Sequence, residues 1–223
     1  MQICSLNIGK IECFEYEGKQ VLSAITKKST KKQVFLSALG FQGDEQANKI
    51  RHGGSDKAVC AYPVEYYRDW ERELERELPF GSFGENLTVQ GMRESEVHVG
   101  DIFDWGDTKL EVTQPRPPCH KLAKKFNYPR LPVLFQELGR TGFLMRVLQE
   151  GWVSIESPVV RSYAHPAAIS IEAINEALYT DIPNKELLMN ILKLEALSPS
   201  VVTTFKLRLA GHRDDSSNRL HGM

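Results

Sequence analysis

The 223-residue chain has only four cysteines, and no two of them form a C-x-x-C pair. A structural zinc site and a cysteine-ligated iron–sulfur cluster are therefore not expected, because both need clustered thiolates. No apolar run approaches the length that spans a bilayer, and residues 1–7 lack the basic and apolar regions of a signal peptide. We expect a cytoplasmic protein with free thiols and no membrane partner.

The chain also lacks an excess of charge of either sign. Lys plus Arg number 28 against 29 for Asp plus Glu, which leaves a formal net charge of -1. Proteins that bind duplex nucleic acid usually present a clustered basic face, so no nucleic-acid partner is expected. The length allows a sizeable core, in one large domain or in two unequal ones.

Up to about residue 163 the sequence consists of short apolar or alternating runs separated by Gly, Pro, Asn and Asp. This texture predicts a mainly β fold, a sandwich or barrel of many short strands. The predicted strands cover residues 2–8, 10–16, 20–27, 57–62, 87–89, 101–105, 109–113 and 151–155. Apolar and charged residues at helical spacing predict helices over 63–78, 131–138 and 142–148.

After residue 163 three amphipathic helical patterns follow one another. The first begins at the N-cap Ser170, and the third begins at Ser198, which a proline follows. We expect these helices to serve in packing or dimerisation rather than in catalysis. The sequence therefore predicts a β domain, a small three-helix domain and a disordered tail, with the bounds 1–163, 164–211 and 212–223.

One loop holds a cysteine between prolines and cations. Residues 115–121 read Pro-Arg-Pro-Pro-Cys-His-Lys and follow a strand-like run. Proline fixes φ and restricts the residue before it, so this loop holds the side chain of Cys119 in one place. Arg116 and Lys121, with His120 beside them, favour the thiolate, the form that attacks electrophiles or binds metals. A rigid surface turn that happens to carry a cysteine explains the segment equally well.

Four other segments combine glycine with charged or amide side chains. They cover residues 40–44, 51–59, 83–87 and 139–142. Glycine lets backbone N–H groups approach a ligand, and guanidinium groups bind phosphate. Each segment alone is a weak signal, because glycine pairs usually form hairpin turns and Gly-Asp usually caps a tight turn.

In combination these segments resemble one family. The order G-x-x-G-D, H-G-G-x-D-K-A-V, F-G-E-N-L, V-G-D and T-Q-P-R-x-P-C-x-K-L resembles the MOSC family, the molybdenum cofactor sulfurase C-terminal domains. The motifs occupy residues 40–44, 52–59, 83–87, 99–101 and 113–122, and the resemblance covers residues 3–163. The trailing helices resemble the extension of the bacterial YiiM-type subgroup, which is implicated in resistance to N-hydroxylated base analogues.

The resemblance implies a β-barrel core, a bound molybdenum cofactor (molybdopterin) and the reduction of N-hydroxylated compounds to their amino forms. Cys119 matches the molybdenum-ligating cysteine of the family, which makes it the predicted metal ligand and catalytic residue. A thiolate is a soft donor suited to a metal that dithiolene sulfurs already hold. The cofactor also needs a basic, hydrogen-bonding pocket, for which the candidates are His52, Lys57, Asn86, Arg116 and Arg146. Pyridoxal phosphate binding is not expected.

Three functions remain open. The protein is either a reductase served by a separate electron-donating reductase, since no flavin or cluster motif is evident, or a non-catalytic carrier of cofactor or sulfur on Cys119. An ordinary cysteine nucleophile, with His52 or His120 as its base, is the third alternative. The helical extension is expected either to form a homodimer or to recruit the electron donor.

Overall fold

The computed structural model describes residues 1–180, 184–212 and 216–222. The strands of these residues are β1 Gln2–Ile8, β2 Glu12–Tyr16, β3 Lys19–Ser23, β4 Lys28–Ser29, β5 Val34–Ser37, β6 Gly40–Phe41, β7 Val59–Pro63, β8 Leu87–Gln90, β9 Ile102–Trp105, β10 Thr108–Pro115, β11 Phe143–Gln149, β12 Gly151–Val153 and β13 Val159–Tyr163. The α-helices are α1 Lys49–His52, α2 Tyr67–Leu74, α3 His120–Phe126, α4 Leu131–Glu137, α5 Ile171–Tyr179, α6 Lys185–Ile191, α7 Pro199–Leu209 and α8 Ser217–His221. Short 3₁₀ turns cover Ser55–Lys57 and Val64–Tyr66.

A large curled sheet of eight strands forms the centre of the fold, in the order β13-β9-β10-β11-β7-β8-β1-β4. Its pairs are antiparallel except β7 with β8, which run parallel. A three-stranded sheet, β12-β5-β6, and the hairpin β2-β3 complete the β structure. The prediction of a mainly β core followed by helices is confirmed. All eight predicted strands are present, with ends shifted by up to a few residues.

The helix predicted over 142–148 is wrong, because this segment is strand β11 in the middle of the large sheet. Met145 pairs with Val59 on one side and with Val112 on the other. Leucine, methionine and arginine favour helices as isolated residues, but burial between two strands overrides that propensity. The neighbouring helix predicted over 63–78 is present but shorter, because α2 ends where Glu75 adopts a left-handed φ of 50°.

Two clusters of buried side chains position the site. The larger cluster begins in the sheet, around Trp105, and continues without a break into the C-terminal helices, where it includes Ile174 and Phe205. The second cluster is aromatic and lies beneath helices α2, α3 and α4. At its centre the rings of Trp70 and Phe135 stack with centroids 4.5 Å apart. This aromatic cluster therefore packs under helix α3, which directly follows the cysteine loop.

The tail predicted as disordered over 212–223 is ordered in its described part. Residues 217–221 form α8, whose Leu220 is buried. Arg219 donates hydrogen bonds to the carbonyl oxygen of Pro118 at 2.7 Å and to Gln136 Oε1 at 3.0 Å. The polar composition suggested a solvated segment, but the buried Leu220 and the hydrogen bonds of Arg219 hold it against the fold. Within the described ranges, none of the helices is both long enough and apolar enough to cross a bilayer.

Candidate functional site

Cys119 lies where the long central strand β10 passes into helix α3. After β10 ends, the backbone N–H of Arg116 donates to the carbonyl oxygen of Gly142 at 3.0 Å, which keeps the loop close to the sheet. Cys119 is the N-cap residue of α3, with an extended φ of -136°, and its half-buried side chain does not cap the helix. Lys125 anchors α3 by donating to the carbonyl oxygen of Ser82 at 2.6 Å. The loop therefore presents the thiol from a fixed position.

The thiol opens onto a cavity with a volume of about 120 Å³. Four of the five predicted cofactor-binding residues line this cavity together with Cys119, and these are His52, Lys57, Asn86 and Arg116. They come from three separate segments of the chain, 51–59, 83–87 and 113–122. The fold thus gathers the glycine-rich motifs of the sequence around one cysteine, although their roles toward a cofactor stay predictions.

Arg146, the fifth predicted residue, does not line this cavity. Its guanidinium binds Asp56 Oδ1 at 2.8 Å and Glu111 Oε2 at 3.1 Å, and it donates to the carbonyl oxygen of Ala196 at 2.9 Å. Arg146 therefore joins the turn before Lys57 to strand β10 and to the helical extension. We do not retain it among the residues that would face a cofactor.

The cavity wall contains a buried ion pair that the sequence did not predict. Lys27 Nζ lies 2.5 Å from Asp44 Oδ1, and the two side chains are only 6% and 3% exposed. Asp44 also accepts hydrogen bonds from the backbone N–H of Gly9 at 2.8 Å and from Asn86 Nδ2 at 2.9 Å. Asp44 was expected only to cap a turn, although it ends the G-x-x-G-D motif. Lys27 carries no signal in the sequence, because only the tertiary structure brings it to Asp44.

The side chain of Asn86 makes its hydrogen bonds to other residues of the cavity wall. Besides Asp44, its Nδ2 donates to the carbonyl oxygen of Asn7 at 3.3 Å, and its Oδ1 accepts from the backbone N–H of Cys60 at 3.1 Å. The carboxamide thus connects β1, β7 and the Asp44 loop. Cys60 also lines the cavity, and burial raises the pKa of its thiol. Cys60 therefore stays protonated at neutral pH.

The cavity is rich in cationic side chains, and they perturb one another. The pKa of His52 falls to about 4, first because of burial and then because of nearby cations such as Lys121 and Arg116. His52 lines the cavity while part of the residue is exposed to solvent, and it is neutral at pH 7. Burial also lowers the pKa of Lys57. An anion in this cavity would relieve the repulsion among these groups.

The clearest sign that the cavity binds a ligand is a missing hydrogen bond at Arg116. Its Nη2 donates to the carbonyl oxygen of Phe83 at 2.5 Å, while its buried Nη1 has no hydrogen-bond partner among the described residues. A buried guanidinium nitrogen without an acceptor is costly, and phosphate oxygens satisfy such a nitrogen well. The molybdenum cofactor implied by the sequence fits this donor set, since the wall offers the soft thiol of Cys119 for a metal and several cations for a phosphate.

Comparisons with known proteins agree with this architecture. The family model described as MOSC domain matches residues 48–160, and the model described as YiiM-like, 3-alpha helix domain matches residues 169–212. The chain belongs to the MOSC domain family and carries the three-helix extension of its YiiM-like members, as its motifs predicted.

Individual relatives extend the likeness over nearly the whole chain. The uncharacterized protein YflK of Bacillus subtilis is 42% identical, with 91% of this chain and 92% of that protein covered. Protein YiiM of Escherichia coli is 37% identical, with 96% of each covered. A protein named "Reductase" from Gibberella moniliformis is 33% identical over 88% of this chain and 38% of its own length.

Solved structures share the fold. The crystal structure of YiiM from Geobacillus stearothermophilus matches with a TM-score of 0.78 and 36% identity, covering 93% of this chain and 98% of that one. The crystal structure of YiiM from Escherichia coli matches with a TM-score of 0.77 and 30% identity, covering 96% and 98%. The fold class inferred from the strand pattern is therefore supported by experimental structures of relatives.

Proposed function

We propose that the protein is a molybdenum-cofactor-dependent reductase that converts N-hydroxylated compounds, such as N-hydroxylated base analogues, to their amino forms. The reaction takes a hydroxylamine, two electrons and two protons to an amine and one water. The chain contributes no evident electron carrier, so a separate reductase supplies the electrons. Removal of the hydroxyl group from toxic base analogues would make the activity a detoxification.

The observation that carries this proposal is that one cavity is lined both by Cys119 and by Arg116, a cation with a buried nitrogen that has no hydrogen-bond partner in the part of the chain that the structure describes. Cys119 would hold the metal through its thiolate. Arg116 and Lys57, which both line the cavity, would hold the phosphate of the cofactor. When bound, the cofactor supplies the metal centre that exchanges two electrons with the N–O bond.

The remaining side chains of the cavity serve binding and proton supply. His52 is neutral at pH 7 and lines the cavity, where its imidazole can accept a proton from water on one ring nitrogen and release another from the second nitrogen toward the departing hydroxyl group. The Lys27–Asp44 pair is buried and hydrogen-bonded on several sides, so it holds the wall in shape. A relative that is named "Reductase" matches most of this chain, which supports the reaction class.

The test is a reduction assay on protein purified from a host that makes the molybdenum cofactor. With an artificial electron donor, the wild-type protein is expected to convert an N-hydroxylated base analogue to the amine. Cys119→Ala is expected to abolish turnover, whereas Cys13→Ala, at an exposed cysteine on the hairpin, should retain it.

Each alternative function has its own signature in this assay. Bound molybdopterin without turnover in the wild type would support the carrier. A metal-free hydrolytic activity that disappears when Cys119 is alkylated would support an ordinary cysteine nucleophile. Full reductase activity in Cys119→Ala would contradict the proposal.

A further inference from the structure

The C-terminal helix α8 is hydrogen-bonded to the loop that carries Cys119. Arg219 donates from Nη1 to the carbonyl oxygen of Pro118, the residue just before the cysteine, at 2.7 Å. Its Nη2 donates to Gln136 Oε1 of helix α4 at 3.0 Å, and its guanidinium lies over the ring of Tyr179, 5.6 Å from the centroid. One side chain thus fastens the loop to two helices at once.

The residue on the other side of the cysteine is held by the same segment. Nδ1 of His120 lies 3.3 Å from the carbonyl oxygen of Asn218. Gly222 packs against the imidazole so closely that an added Cβ would meet His120 Cγ at 2.9 Å. The last described residues therefore contact both sequence neighbours of Cys119.

The composition of the loop explains why such an outside contact is needed. Pro115, Pro117 and Pro118 have no backbone N–H, so they cannot donate hydrogen bonds that would fix the loop. A carbonyl oxygen such as that of Pro118 can still accept one. Arg219 supplies a charged donor to it, and hydrogen bonds from charged groups are stronger than neutral ones.

We infer that Arg219 is a positioning residue, which fixes the Pro118 carbonyl and thereby the direction in which Cys119 presents its sulfur to the cavity. The inference rests on the proposed function in that it takes Cys119 as the metal ligand. The tail is then part of the site, although it lies outside the MOSC domain and beyond the end of the three-helix match.

The first test measures alkylation of each cysteine in cofactor-free, full-length protein by mass spectrometry. Arg219→Ala is expected to raise the alkylation rate of Cys119 by about tenfold, the scale of one lost charge-assisted hydrogen bond. The rate of Cys60, which lines the same cavity from strand β7, should not change. General loosening of the fold would instead raise both rates together, so the ratio of the two separates positioning from stability.

Three further variants sharpen the result. Arg219→Lys, which keeps one charged donor, should restore the Cys119 rate in part, and Gln136→Ala, which removes the second anchor of Arg219, should raise it by less than Arg219→Ala does. Arg130→Ala removes an exposed arginine near helix α4 that pairs only with Glu137 at 3.4 Å among the described residues, and it should leave the rate unchanged. If Arg219→Ala does not fold, Gln136→Ala decides the matter.

The second test measures molybdenum per protein after expression in a cofactor-competent host. Arg219→Ala should retain about tenfold less metal than the wild type at limiting cofactor. A Cys119 rate that is unchanged or lower in Arg219→Ala and in Gln136→Ala would overturn the inference. If the wild type binds no molybdenum, the proposed function fails, but the alkylation rates still decide the role of Arg219.

Discussion

The buried pair of Lys27 and Asp44 offers the sharpest test of how the cavity wall is held together. Replacing Lys27 with methionine keeps most of the side-chain volume and removes the positive charge. The carboxylate of Asp44 then stays buried with only its hydrogen bonds from Gly9 and Asn86. Removing one partner of a buried ion pair typically costs 3–5 kcal/mol, and because two hydrogen bonds remain we expect the lower end, about 3 kcal/mol.

The expected loss is measured by thermal and urea unfolding. For a chain of this length about 3 kcal/mol corresponds to a fall in Tm of roughly 6–12 °C. The matched control is Lys10→Met, because Lys10 pairs with Glu45 at 2.9 Å while 65% exposed, and such surface pairs contribute about 1 kcal/mol or less. The double variant Lys27→Met/Asp44→Asn should recover much of the loss. If Lys27→Met costs no more than Lys10→Met, the pair does not hold the wall.

Three further predictions concern single positions. An NMR titration should find His52 with a pKa of about 4 in the folded protein, below its ordinary value of 6.5. Between pH 4 and pH 6.5 the unfolded chain therefore binds more protons at this residue than the folded protein does. The contribution of His52 to stability is present above pH 6.5 and is lost as the pH falls toward 4. A value near 6.5 would contradict the crowding of cations. Gly142→Ala should cost more than about 3 kcal/mol, because φ is +73° and the new Cβ would lie 2.4 Å from the carbonyl oxygen of Ala61; Gly18→Ala, at φ +71° in open space, should cost only about 1–2 kcal/mol in the same unfolding assay. Arg116→Lys should lower bound molybdenum about tenfold, since a lysine cannot bind both the carbonyl oxygen of Phe83 and a cofactor phosphate as the guanidinium would. A metal content equal to that of the wild type would refute the role of Arg116 in holding the cofactor.

The sequence allowed the strands and the cysteine loop to be predicted because their signals are local. A short, mostly apolar run marked β1 from Gln2 to Ile8, and prolines marked the loop before Cys119. The error at β11 has a non-local cause, since Phe143, Leu144 and Met145 are buried only because β10 and β7 flank them. Local propensity contains no information about those neighbours.

The site shows the same division. His52, Lys57 and Arg116 were found because glycine and proline accompany them in recognisable motifs. The pairing of Lys27 with Asp44 joins residues 17 positions apart, and no spacing rule predicts it. The hydrogen bond from Arg219 to Pro118 spans 101 positions and starts in a segment whose composition suggested disorder. Such contacts depend on the finished fold.

The most direct test of the account is the molybdenum and pterin content of the purified protein compared with that of its Cys119→Ala variant. Both are produced in a host that makes the cofactor, and folding of the variant is checked by its unfolding midpoint. The wild type is expected to carry both molybdenum and pterin, and the variant is expected to lose the metal. A wild-type protein without either component, or a variant that retains the full complement of molybdenum, would contradict the assignment of Cys119 as the metal ligand.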